Sequence, residues 1–89
     1  MEIREEVKTD LQKRLRRIEG QVRGIQAMIE DDRECRDIVT QLAAATKALE
    51  QVGFKMLASG LASCLENPEK SAAEGYSLDV VEKMFLKLS

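Results

Sequence analysis

Two runs of apolar residues advance by alternating steps of four and three, and that rhythm restricts the chain more than any other feature. Leu11, Leu15, Ile18, Val22, Ile25 and Ile29 form the first run; Ile38, Leu42, Ala45, Leu49, Val52 and Met56 form the second. Steps averaging about 3.5 residues mark the seam of a helix that packs lengthwise on other helices. The first helix is expected over about 3–30 and the second over about 33–65. Asp31 and Asp32 interrupt the rhythm, and Asp31 with Glu34 resembles a capping box opening the second helix. So short a connection folds the two helices back as an antiparallel hairpin. Asn67-Pro68 ends the second helix. Residues 67–76 then read as a loop, and Ser77 suits the N-cap of a short third helix, 78–88. Leu78, Val81, Met84, Phe85 and Leu88 share one face of that helix. No strand pattern, repeat or low-complexity tract appears, so the expected class is all-α, with one domain over 1–89.

Such a hairpin cannot close a core by itself. Phe54, Tyr76 and Phe85 are the only aromatic residues, so the large side chains that usually dominate burial in a small domain are scarce. Val39, Ala43, Ala44, Phe54, Leu57 and Leu61 widen the apolar surface of the second helix beyond its seam. That surface is expected to meet another subunit, giving a four-helix dimer core or larger. Gly20 and Gly24, four residues apart, put two spots for close backbone approach on one face of the first helix. No stretch approaches the about 20 apolar residues of a membrane span, and no signal peptide is legible. A cytoplasmic protein without a membrane role is the expectation.

Histidine is absent and cysteine occurs twice, at Cys35 and Cys64. The first fact removes His-dependent acid–base chemistry, Ser-His-Asp and Cys-His nucleophiles, and imidazole metal ligands. In a reducing compartment the two thiols are not a standing structural bridge. Their separation of 29 residues leaves an angular offset of only about 20° on a helix but an axial distance of about 44 Å. Both therefore leave the second helix on the same side, far beyond the about 7 Å between Cα atoms that a disulfide tolerates. If two copies of the helix pair antiparallel about Leu49–Glu50, each Cys35 meets the other copy's Cys64. A symmetric dimer then has two equivalent dithiol sites. Cys35 sits in the first turn of its helix beside Arg33 and Arg36, where the dipole favours negative charge, although Asp32, Glu34 and Asp37 oppose it; it is the expected site of first attack, with Cys64 resolving. The plainer alternative is that both are small core residues.

Net charge is −2, yet Lys13, Arg14, Arg16, Arg17 and Arg23 face only Glu19 within residues 11–24. These cations lie off the seam, and guanidinium groups suit bidentate contact with phosphate. A solvated helix face would look similar. No helix-turn-helix or zinc-finger pattern is present, so DNA would be held by shape and phosphate contact rather than by a reading helix.

The run Lys13-Arg14-Leu15-Arg16-Arg17-Ile18-Glu19-Gly20-Gln21-Val22-Arg23-Gly24-Ile25 resembles the first-helix motif of the copper-sensitive operon repressor (CsoR) family. Cys35-Arg36-Asp37-Ile38-Val39-Thr40-Gln41-Leu42 is similar to the start of that family's second helix. The resemblance covers nearly the whole chain. It implies a transcriptional repressor of double-stranded operator DNA, a disc-shaped homotetramer built as a dimer of dimers, and the same intersubunit pairing of cysteines. It implies DNA contact through Arg14, with Lys13, Arg16 and Arg17 beside it. A second basic position of the family is Gln51 here, and Lys47, one turn away, is a candidate substitute.

Copper sensors of the family use Cys, His and Cys; the His position, four residues before the second Cys, is Gly60. Nickel and cobalt sensors need several His, and formaldehyde sensors carry Pro where this chain has Glu2. A cysteine pair without His looks like the persulfide-sensing branch (CstR), which implies per- or polysulfide as the inducer and sulfur bridges between Cys35 and Cys64. The alternative is a Cu(I)-responsive repressor with Cys35 and Cys64 as bis-thiolate ligands, since soft Cu(I) accepts thiolates alone. No resident metal or cofactor is expected. A helical scaffold without DNA would leave the basic stripe idle, and an enzyme is not expected, because no substrate pocket is legible.

Overall fold

The computed structural model describes residues 3–89; Met1 and Glu2, including the position used above against formaldehyde sensing, lie outside the described residues. Four helices follow one another: α1 (Glu5–Glu30), α2 (Cys35–Glu66), α3 (Pro68–Ala73) and α4 (Leu78–Leu88). No described residue is in a strand. The first two form the antiparallel hairpin that the seams require. An ion pair of 3.1 Å between Arg4 and Glu66 ties the start of α1 to the end of α2.

Each seam divides into two lines. Leu11, Ile18 and Ile25 of α1 and Ala45 and Val52 of α2 are buried between the helices. Leu11, Ile18 and Val52 form one cluster, with Val7, Leu15 and Ala48 packed against it. The alternate residues Val22, Ile29, Leu42 and Leu49 remain 45–59% exposed. Heptad residues of this kind are apolar because something covers them, and the described residues leave them about half open.

The dimensions give the same answer. The Cα atoms span 54 × 25 × 14 Å, a long and flattened shape. The radius of gyration is 16.9 Å, against about 12 Å for a compact domain of this length. So elongated a chain hides its internal seams and leaves much apolar surface open outside them.

The α1–α2 junction is not the expected capping box. Glu34 is the N-cap of α2 and makes no side-chain cap bond. Asp31 instead ends α1, and Asp32 takes a φ of +53°. Asp32 N–H donates to Ile29 O at 3.2 Å and Arg33 N–H to Met28 O at 3.0 Å. This pair of bonds is a Schellman motif with aspartate at the left-handed position, which a short polar side chain tolerates better than most. Asp31-Asp32 therefore closes the first helix rather than opening the second.

The expected loop over 67–76 contains the six-residue α3. Pro68 stops α2, but at the first position of a new helix proline loses nothing, because that N–H has no partner anyway. Asn67 caps the turn by accepting from Lys70 N–H. A second Schellman motif ends α3: Gly75 N–H donates to Ala72 O at 3.0 Å and Tyr76 N–H to Ser71 O at 2.8 Å. Gly75 has φ +90°, a conformation costly for any residue with a Cβ. Gly75→Ala is expected to destabilise the protein by about 1–2 kcal/mol, read as a lowered Tm with unchanged mass.

Ser77 caps α4 as expected, its hydroxyl accepting from Val80 N–H. That helix folds back on the second half of α2. Val81 is 1% exposed, Leu57 is buried, and the Phe54 and Phe85 rings stand 6.2 Å apart. So Leu57, expected to meet a neighbour, is buried within the chain where α4 packs, whereas Phe54 stays 39% exposed and Leu61 is half-buried. Val39 remains 60% exposed, and Ala43 and Ala44 are open too. α4 approaches α2 closely at Gly53, where an added Cβ would stand 2.8 Å from Leu88 Cδ1. Gly20 and Gly24 have nothing within 4 Å of such a Cβ, so the close contact expected there does not occur within the chain.

Candidate functional site

The cysteines occupy the two ends of α2, which is one unbroken helix of 32 residues. Cys35 is its first residue and is exposed; Cys64 lies in its last turn and is buried, 2% exposed. The α3–α4 turn covers Cys64, and the Cys64 thiol donates to the carbonyl of Tyr76 at 3.4 Å. Gly75's left-handed turn delivers that carbonyl, so the environment of Cys64 depends on the turn as well as on α2. Sequence reasoning missed Tyr76, because a backbone acceptor carries no side-chain signal.

With about 44 Å of helix between them, the thiols cannot share a ligand inside one chain. Among the described residues no group of three or more His, Cys, Asp or Glu could hold a metal. Any site built from both thiols needs a second copy.

The basic stripe separates into two parts. Arg14 and Arg17 line a shallow notch between α1 and α2 with Ile18, Gln21, Ala48 and Gln51. Gln21 Oε1 is buried there without a hydrogen-bond partner. Lys13 and Arg16 are exposed and lie about 140–160° around the helix from buried Ile18, away from α2. Arg23 borders the opposite groove, with Gln12, Leu15, Val22 and Leu49. The structure thus groups Arg14 with Arg17, and leaves Lys13, Arg16 and Arg23 outside that notch.

Arg14 is also held in place. Its Nε donates to Asp10 Oδ2 at 2.9 Å, and Lys55 Nζ of α2 approaches the same oxygen at 3.5 Å. The hydrogen bond from Arg14 holds the Asp10 carboxyl below its ordinary range; desolvation opposes this, and the charges of Arg14 and Lys55 assist it. A carboxyl lowered in this way keeps its bridge at neutral pH and loses it only as pH falls below the usual aspartate range. The Asp10–Arg14 spacing was legible as an i,i+4 pair. Lys55, 45 residues from Asp10, was not, because only the hairpin brings them together.

No described helix is long and apolar enough to cross a membrane. A family model described as metal-sensitive transcriptional repressor matches residues 7–87. The chain belongs to that family. The copper-sensing transcriptional repressor RicR of Mycobacterium tuberculosis is 47% identical over 68 residues, covering 76% of this chain and 68% of that protein. The copper-sensing transcriptional repressor CsoR of Bacillus subtilis is 37% identical over 82 residues, covering 92% and 81%. The crystal structure of the copper-sensing repressor CsoR with Cu(I) from Geobacillus thermodenitrificans superposes with a TM-score of 0.73 at 38% identity, covering 94% of this chain and 84% of that one. The repressor family and the helical fold expected from the sequence are therefore established. All three of these relatives are named for copper.

Proposed function

We propose that this chain is a Cu(I)-responsive repressor that works as a homodimer or homotetramer on operator DNA. The observation that carries the reading is the placement of its only two thiols at opposite ends of one continuous helix. A ligand shared by both must join two chains, and so must report on how they pair. The exposed apolar line of Val22, Ile29, Leu42 and Leu49 supplies surface for that pairing. Head-to-tail packing about Leu49–Glu50 would place Cys35 of one chain beside Cys64 of the next.

The donor set suits the ion. Bound Cu(I) would supply a soft monovalent centre that two thiolates can satisfy, whereas Zn(II) takes four ligands. On the protein's side, Cys35 offers an open thiol, and Cys64 must give up its bond to the Tyr76 carbonyl. That exchange disturbs the α3–α4 turn and α2 together. Arg14 and Arg17 ride on α1 against the same α2, so strain at the dithiol ends is passed to the DNA face through a packed helix pair. Lys13 and Arg16 extend the positive field around the contact.

A second reading keeps the same thiols and changes the inducer. It is favoured by the absence of His and by Gly60 at the position of the third ligand. The Cys35 thiolate would attack the outer sulfur of a persulfide, releasing a thiolate and becoming a persulfide itself. The neighbour's Cys64 thiolate would then attack Cys35, expelling hydrosulfide and closing the bridge; a polysulfide leaves extra sulfur in it.

Two arms separate the readings. Anaerobic Cu(I) titration of the operator complex is expected to release DNA at one ion per cysteine pair. Polysulfide followed by mass spectrometry is expected to leave no intersubunit bridges under conditions where Cu(I) acts. DNA release by polysulfide with bridged chains, and none by Cu(I), overturns the copper reading in favour of the second.

A further inference from the structure

We propose that Lys55 is a phosphate ligand of the DNA-binding face, and that Asp10 is the counter-charge Lys55 and Arg14 share in the free protein, one that phosphate must displace. This rests on the reading above that the Arg14 side of the hairpin meets DNA, and adds the α2 contribution which that reading lacks, since Gln51 is uncharged.

The argument starts from a shared atom. Arg14 Nε and Lys55 Nζ both reach Asp10 Oδ2, at 2.9 and 3.5 Å. Two cations from different helices are thereby gathered at one point on the seam. Arg14 meets Asp10 through Nε alone, so both terminal nitrogens keep their donors for a bidentate phosphate contact. Lys55 likewise keeps two of its three donors. The side chains of Arg14 and Lys55 are 36% and 51% exposed; each is anchored, yet open to a ligand.

Position selects Lys55 over Lys47. Gln51 borders the Arg14–Arg17 notch, and the two lysines flank it at one turn on either side. At about 100° per residue Lys47 lies about 80° from Lys55 around α2, on the flank turned away from α1. Lys55 makes an ion pair with Asp10 of α1.

Asp10 has a cost as well as a use. A carboxylate beside a polyanion opposes binding, while its hydrogen bond fixes the Arg14 guanidinium before DNA arrives. Asparagine keeps an acceptor oxygen and removes the charge, so the two effects can be separated.

The test measures operator affinity of the full-length protein across a salt series for Lys55→Ala, Asp10→Asn, Lys47→Ala and Arg14→Ala, with helicity and sedimentation confirming fold and assembly. Lys55→Ala is expected to weaken binding about ten-fold and to reduce the salt slope by about one per bound chain. Asp10→Asn is expected to tighten binding several-fold and steepen the slope. Lys47→Ala should match the parent. If Arg14→Ala weakens binding but Lys55→Ala behaves like Lys47→Ala, the Lys55 role is overturned and the DNA face stands. If Arg14→Ala has no effect, the DNA face itself is misplaced and the proposal falls with it. Weaker binding by Asp10→Asn overturns the counter-charge role.

Discussion

Mixing Cys35→Ser chains with Cys64→Ser chains will restore about a quarter of the wild-type dithiol capacity, although each variant alone has none. The expectation follows from the length of α2. Its thiols are about 44 Å apart, so each site takes one cysteine from each of two chains. In a head-to-tail homodimer of either variant, both sites hold one cysteine and one serine. A mixed dimer is different: one site keeps both cysteines and the other has two serines. Random re-pairing after unfolding makes about half of the dimers mixed, each with one site in place of two. Capacity is read by anaerobic Cu(I) titration against a competing chelator, and operator release by the mixture is read alongside. If the mixture binds no more Cu(I) than the separate variants, the thiols do not meet across subunits. If each single variant already has full capacity, one thiol suffices and the pairing is irrelevant to sensing.

The same long helix was the most legible part of the molecule. Two four-and-three seams predict two long helices, and α1 and α2 begin and end within a few residues of the expected bounds. Ser77 and its apolar face likewise mark α4. The failures occur where one residue serves two purposes. Pro68 ends α2 and also begins α3, and a reader of helix stops sees only the first. Asp32 occupies a left-handed position where glycine is the usual sign, so an acidic pair was taken for a helix start. Leu57 is apolar for the reason inferred, that something covers it, but periodicity cannot say whether the cover is α4 or another chain.

The candidate site was legible to a similar depth. Both thiols, their separation and the need for a second copy follow from one helix and its rise per residue. The burial of Cys64 under the Tyr76 carbonyl does not, since it is made by a turn whose own helix went unread. For the basic stripe, spacing identified the cations but not their grouping. Arg14, Arg17 and Gln21 share one flank of α1, and that flank becomes a notch only when α2 places Ala48 and Gln51 against it. Lys55 joins through an ion pair between helices, which no local pattern encodes.

The largest loss from a single surface substitution should come at Leu49. Within the chain Leu49 is 50% exposed, and a change at such a position ordinarily moves stability by no more than about 0.5 kcal/mol. Leu49→Asp should do far more, because the expected two-fold axis passes beside this residue. Two carboxylates would then face each other in an apolar interface, and Arg23 on the rim of the same groove would offset only part of their repulsion. Burying unpaired charges of like sign costs several kcal/mol, enough to raise a dimer dissociation constant by about a thousand-fold or more. Leu57→Ala is the contrast. Leu57 is 5% exposed within its own chain, so its truncation should cost about 2–5 kcal/mol through the cavity left behind, whatever the partner does. Sedimentation and thermal unfolding at several protein concentrations separate the two. Leu49→Asp should dissociate, lose operator binding and lose both dithiol sites at once; Leu57→Ala should lower Tm while chains that remain folded still pair. An assembled Leu49→Asp protein with wild-type mass and Cu(I) capacity would mean that the open half of the seam is not the dimer face, and that the thiols must meet by some other arrangement of the chains.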